Sequence, residues 1–108
     1  MRKLQDPAAG GRAIKRFESV GAVVRGVSQS AHVVLIRVGV GGLVGRHRAG
    51  TKQLFVVIAG SGWASGGDGE RVALSAGEAV VWEAGEEHES GSVGGMTALV
   101  VEAERLEV

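Results

Sequence analysis

Two of the three histidines, His47 and His88, are the residues of this chain best suited to chemistry. Imidazole binds metal ions, transfers protons near neutral pH and donates or accepts hydrogen bonds. His47 lies six residues before Gln53 in the stretch GGLVGRHRAGTKQLFVVIAG, and His88 ends a second stretch, GEAVVWEAGEEH. Each stretch combines an apolar run with glycine turns. We therefore predict that the two stretches build one site inside a small β-barrel.

The elements that position this site are predicted to be short β-strands. The 108 residues include 19 glycines but one proline, and the glycines separate short apolar runs. Glycine supplies the positive φ that tight turns require. The apolar runs recur about every 8–12 residues, a spacing typical of a sandwich or barrel. The runs predicted as strands are residues 20–28, 31–40, 47–59, 72–74, 79–82 and 96–102, with an acidic loop at 83–89 and no convincing helix.

In the two histidine-bearing stretches the chain resembles the cupin family. The first cupin motif consists of a glycine, His-x-His, a glutamate and a closing glycine. In this chain these positions are occupied by Gly41, His47, Gln53 at the glutamate position, and Gly60. The second motif is a glycine, Pro-x-Gly and a histidine, at whose places stand Gly77, Glu83, Gly85 and His88. The resemblance implies an all-β fold, the cupin-like double-stranded β-helix or jelly-roll barrel.

The metal motif of the family is incomplete in this chain. Cupins usually bind a divalent metal with two histidines and a glutamate from the first motif and one histidine from the second. Here Ala49 replaces one histidine and Gln53 replaces the glutamate, so the resemblance implies the metal set His47, Gln53 and His88. Imidazole suits transition metals, but an amide oxygen is a weaker donor. We expect Zn, Ni, Cu, Mn or Fe to bind weakly. The nearby carboxylates that could assist are Glu86, Glu87 and Glu89.

The same residues also have structural interpretations. Gln53 can hydrogen-bond one of the site histidines and fix its tautomer. His32 has no motif around it and is predicted to lie on a strand or at the surface. Trp63 and Trp82 are expected to pack in the core or at its rim rather than to stack on a substrate. Glu83, at the proline position of the second motif, makes that turn less rigid but removes no ligand.

Three functions remain open on this evidence. The first is a cupin that binds a small molecule in the barrel, with a weak metal ion. The second, implied by the resemblance alone, is a metal-dependent enzyme of the dioxygenase or isomerase type. Because the chain has no tyrosine, its acid or base would be His47, His88 or a loop glutamate. The third is a metal-free structural or regulatory module, since one fold serves many functions.

The composition argues against several other classes of protein. Twelve basic residues balance twelve acidic ones, whereas nucleic-acid and membrane-surface proteins rely on a basic excess. The absence of cysteine excludes disulfides, thiolate metal sites and a cysteine nucleophile. No signal peptide and no apolar run near 20 residues is found, so we expect a cytoplasmic protein.

The length of 108 residues predicts one domain. We expect an N-terminal tail at residues 1–13 and a single barrel at residues 14–108. Edge strands of such a barrel gain by being covered, and the zero net charge lowers repulsion between copies. We therefore expect a homodimer, with residues 14–24 as the pairing or exchange element.

Overall fold

The computed structural model describes residues 1–108 and contains ten β-strands and no helix. It therefore has no helix that could span a membrane. The all-β prediction is confirmed. The strands are β1 (Arg2–Leu4), β2 (Arg12–Ala13), β3 (Val23–Val24), β4 (His32–Val38), β5 (Leu43–Arg48), β6 (Lys52–Ser65), β7 (Arg71–Ser75), β8 (Ala79–Trp82), β9 (Glu87–Gly91) and β10 (Met96–Ala103).

Eight of these strands are connected by antiparallel pairing, and together they form two sheets that share β6. The first sheet has the strand order β1-β8-β6-β10-β4. In the second, β6 pairs with β7 and β9, and β9 pairs with β5. At 14 residues, β6 is long enough to belong to both sheets. The site described below lies between the two sheets, at one end.

β6 passes from the first sheet to the second at Gly60, which has a φ of 74°. A Cβ atom there would lie 2.3 Å from the carbonyl oxygen of Gly95, so no side chain fits. The four glycines that carry the motif spacing all have positive φ, namely Gly41, Gly60, Gly77 and Gly85. The spacing recognised in the sequence is therefore that of three turns, at Gly41, Gly77 and Gly85, and of the point at Gly60 where β6 changes sheets.

The inward faces of the strands build the main core. Along β10, Met96, Ala98 and Val100 are buried at alternate positions, as the two-residue period of a strand requires. They pack with Phe55 and Val57 of β6 and with side chains of the second sheet. A second apolar cluster covers the outer face of the first sheet, where Leu106 closes over β6 and β8.

The N-terminal region differs from the sequence prediction. The expected tail of residues 1–13 includes β1, which pairs with β8 and belongs to the first sheet. The packing of Leu4 against the outer cluster explains why so short a strand forms there. Of the predicted strand at residues 20–28, only Val23–Val24 is extended, and it pairs with β2 apart from the barrel. The predicted loop at residues 83–89 ends early, because β9 begins at Glu87.

Candidate functional site

His47 and His88 face each other across neighbouring strands. They are direct partners in the β5–β9 register, and their ring centroids lie 4.3 Å apart. The register of β5 shifts between Val44 and His47. His88 is 3% exposed, whereas His47 is exposed at the rim of the barrel. The structure thus brings together two residues, His47 and His88, that are 41 positions apart in the chain.

Backbone carbonyls determine the tautomer of both rings. His47 Nδ1 lies 2.7 Å from the Gly45 oxygen, and His88 Nδ1 lies 3.2 Å from the Glu86 oxygen. A carbonyl oxygen only accepts, so each Nδ1 carries the hydrogen and each Nε2 keeps its lone pair. Neither Nε2 has a hydrogen-bond partner in the protein. Gln53 bonds neither ring, so it does not determine their tautomers.

Aromatic packing holds the buried ring of His88 in place. The ring centroids of His88 and Trp82 lie 4.1 Å apart in a stacked arrangement, and those of Trp82 and Phe55 lie 5.4 Å apart. The indole N–H of Trp82 donates to the Ser65 oxygen at 3.1 Å. Burial lowers the pKa of His88 below its ordinary value, and the neighbouring His47 lowers that pKa further. The His88 imidazole is therefore neutral at pH 7.

A cavity of about 90 Å³ lies between the sheets at this end of the barrel. All three residues of the predicted set line it, together with two further polar residues and an apolar wall. The polar residues are His47, Gln53, His88, Ser90 and Glu102. The apolar residues are Val34, Ile36, Val44, Phe55, Trp82 and Val100.

Gln53 and Glu102 are direct partners in the β6–β10 register. Gln53 is 6% exposed, and its amide makes no hydrogen bond within the protein but is not fully shielded from solvent. The Glu102 carboxylate lies 3.6 Å from Nδ1 of His32, whose side chain is 74% exposed. The sequence prediction missed Glu102. The alternation of Met96, Ala98 and Val100 could have found it, because the same face next carries Glu102.

The cupin domain family model matches residues 34–103, which is well over half of the chain. The chain belongs to the cupin family. The fold is accordingly the all-β double-stranded β-helix of cupins. A comparison with curated protein sequences gives no match.

Solved structures agree with this cupin fold. A conserved protein of unknown function from Streptococcus pyogenes is 20% identical, with a TM-score of 0.64, and the match covers 79% of this chain and 72% of that one. A cupin superfamily protein from Desulfitobacterium hafniense is 15% identical, with a TM-score of 0.65 over 78% and 74% of the two chains. A predicted oxalate decarboxylase from Thermotoga maritima is 22% identical, with a TM-score of 0.62 over 68% and 65%.

The second histidine position of the first cupin motif lies outside the cavity in this chain. Ala49 is 2% exposed but does not line the cavity. Its N–H donates to the Glu86 oxygen at 3.0 Å, and its carbonyl accepts from the Gly85 N–H at 2.7 Å. Ala49 therefore joins the end of β5 to the turn before β9.

The three candidate loop carboxylates also lie outside the cavity of this cupin. The Glu86 carboxylate accepts from the Met1 ammonium at 2.6 Å and from the Gly67 and Glu83 N–H groups. Burial alone would raise the pKa of Glu86, but these bonds lower it below its ordinary value. The Glu83 N–H is one that the family's proline would lack. Glu87 is exposed beside Arg46.

The remaining sequence predictions concern His32 and Trp63. His32 is a surface residue of β4, as predicted. Trp63 is half-buried away from the cavity, with the Arg71 guanidinium 3.7 Å above its ring. Trp82 lies in the core and also lines the cavity. Both tryptophans therefore serve packing.

The donor set of this cupin fits a loosely held metal ion. No group of three or more His, Cys, Asp or Glu side chains converges anywhere in the structure. Two imidazole nitrogens are free at the cavity, and Gln53 adds one neutral amide. Such neutral ligands suit zinc, nickel, copper or iron, but they bring no charge to offset a dication. The set therefore fits weak metal binding rather than the tight binding of a four-ligand site.

Proposed function

We propose that this cupin uses the cavity to bind a small molecule, a weakly held divalent transition-metal ion, or both. The observation that carries the proposal is the pair of unbonded Nε2 atoms of His47 and His88 at the cavity. A backbone carbonyl holds Nδ1 of each ring, and neither Nε2 is a fully buried atom, so both Nε2 atoms remain accessible to a ligand. The Gln53 amide, which lines the cavity without a protein partner and is not fully shielded from solvent, supports the same proposal.

The metal ion would be held by His47, Gln53 and His88. Once bound, a transition-metal ion would supply a Lewis acid to a ligand oxygen or nitrogen. The role of the chain is to orient the two imidazoles through their Nδ1–H bonds and to shield them with an apolar wall. Because all three of these ligands are neutral and Glu102 is the only carboxylate lining the cavity, the ion is expected to exchange readily during dialysis.

Elemental analysis tests the metal site. We expect wild-type protein in equilibrium dialysis against excess nickel, zinc, copper, manganese or iron to hold at least one of these metals above its concentration in the surrounding buffer. The His47→Ala/His88→Ala variant should show no such excess. His32→Ala is the matched control, since it removes the one histidine that lies outside the cavity. Equal metal content in wild type and the double variant would contradict the proposal.

Ligand screening by thermal unfolding tests the small-molecule site. A ligand that binds only the folded chain raises the midpoint in proportion to the logarithm of its concentration. We expect His47→Ala to abolish the shift without unfolding the protein, because His47 is exposed. A shift that survives in His47→Ala and in His47→Ala/His88→Ala would place the ligand elsewhere.

We further propose that two copies form a homodimer. β4 is an edge strand, and its outward Val33 and Leu35 are 57% and 66% exposed. An apolar edge of this kind is stabilised when a second chain covers it. Light scattering at micromolar concentrations should give twice the mass of one chain. Leu35→Lys should shift the protein toward the monomer, whereas a monomeric wild type would contradict the dimer.

A further inference from the structure

The polar groups of the cavity are mostly hydrogen-bond acceptors. His47 and His88 each offer an Nε2 lone pair, because their Nδ1–H groups already donate to carbonyls. Glu102 adds a carboxylate, which only accepts. The two remaining polar residues, Gln53 and Ser90, can donate or accept. No lysine or arginine lines the cavity.

This arrangement disfavours a free anion in the cavity. A carboxylate or phosphate would find donors only on Gln53 and Ser90, and it would face the negative charge of Glu102. Proteins recognise such anions with arginine, lysine or rows of backbone N–H groups. A cation with several N–H groups, in contrast, meets a complementary partner at every acceptor.

The cavity volume limits the size of the ligand. An apolar cavity of about 150 Å³ holds one benzene molecule. The 90 Å³ found here therefore admits about three or four non-hydrogen atoms. Most of the wall is aliphatic or aromatic, which suits a short alkyl group. A longer ligand would have to leave the cavity past the exposed His47.

We propose that the organic ligand is a small primary ammonium ion, or the ammonium-bearing end of a larger molecule. Its three N–H groups match the three acceptor-only side chains, His47, His88 and Glu102. The Glu102 carboxylate supplies the opposite charge, and the alkyl group lies against the apolar wall. Glu102 lies 3.6 Å from the exposed His32, and exchanging that solvent-exposed contact for the ligand costs little. This inference rests on the proposed small-molecule site in its metal-free form, because a metal ion held by His47 and His88 would occupy the same two Nε2 lone pairs.

Titration of metal-free protein with charge-matched probes tests the inference. Ethylammonium chloride, sodium acetate and ethanol are compared at equal ionic strength, by calorimetry and by the ¹⁵N signals of the imidazoles. Ethylammonium should bind saturably and shift the Nε2 signals of both rings. Acetate and ethanol should do neither at the same concentration. Acetate binding as tightly as ethylammonium would overturn the inference.

A pair of glutamate variants tests the role assigned to Glu102. A hydrogen bond to a charged group contributes enough that Glu102→Gln should weaken ethylammonium binding by about tenfold or more. Glu104→Gln, two residues on and exposed, should bind like wild type. Equal binding by the two variants would overturn the inference.

Nickel binding separates failure of the inference from failure of the proposed function. If wild type binds Ni²⁺ and loses it in His47→Ala/His88→Ala, the site stands, and absence of ethylammonium binding overturns only the ligand class. If neither Ni²⁺ nor any of the three organic probes binds wild type, the site and the inference both fail.

Discussion

Along β6 and β10, the inward-facing side chains change from apolar at one end of the barrel to polar at the other. Val57 and Ala98 are 0% exposed and pack in the main core, at the end of the barrel away from the cavity, which we call the closed end. Gln53 and Glu102, at the open end, are cross-strand partners beside the cavity. The same two strands thus build a close-packed region and a region with unused hydrogen-bonding groups.

This difference implies that stability and binding are separable in this cupin. The closed end buries apolar surface, which is the main source of folding free energy. The open end leaves the Gln53 amide and two imidazole nitrogens without partners in the protein. Such groups contribute little to folding and are available to a ligand. Trp82 and Phe55 lie between the two regions and belong to both.

The largest expected effect is on stability at the closed end. Leu74 is 1% exposed in the main core, so Leu74→Ala should lower the free energy of unfolding by about 3 kcal/mol. Urea denaturation measures this loss. His47→Ala, at the exposed rim, is the comparison and should cost no more than about 0.5 kcal/mol. Similar losses in the two variants would remove the distinction between the two ends.

A pH-dependent effect is expected from His88 at the open end. The pKa of His88 is lowered from 6.5 in the folded protein, so the unfolded chain binds more protons as the solution is acidified. The stability associated with neutral His88 is therefore fully present above pH 6.5 and is lost as the pH falls through the folded pKa. Urea denaturation between about pH 5 and 8 should show this decline. His88→Phe, which keeps an aromatic ring on Trp82, should show a smaller decline. If the variant shows the same decline as wild type, His88 is not its source.

A small change in stability is expected at Gln53. Because the amide has no partner in the protein, Gln53→Leu should leave the free energy of unfolding within about 1 kcal/mol of wild type, or raise it. The same variant should weaken metal binding, measured by calorimetry. Gln53→Glu restores the carboxylate of the cupin motif and should bind metal more tightly than wild type. A large loss of stability in Gln53→Leu would instead make Gln53 a structural residue.

The sequence by itself determined the all-β class and the positions of the motif glycines, whereas the predicted strand at residues 47–59 is divided in the structure between β5 and β6. The first two follow from local chemistry: valine-rich runs favour strands, and the motif glycines at positions such as Gly60 and Gly77 have positive φ. Gln53 and Phe55 lie two residues apart on β6, which the two-residue period of a strand places on one face, and both are buried. The histidine positions were identified through the same motif spacing.

Only the tertiary structure decided how the site is assembled. The pairing of His47 with His88 depends on the β5–β9 register, which local sequence does not determine. Glu102 reaches the cavity because β10 lies beside β6, whereas the nearer glutamates in sequence, such as Glu86, turn to other partners. β1 forms because β8 offers an edge and the outer cluster offers a place for Leu4. In each case the deciding partner is far away in the chain, so its effect exists only after folding.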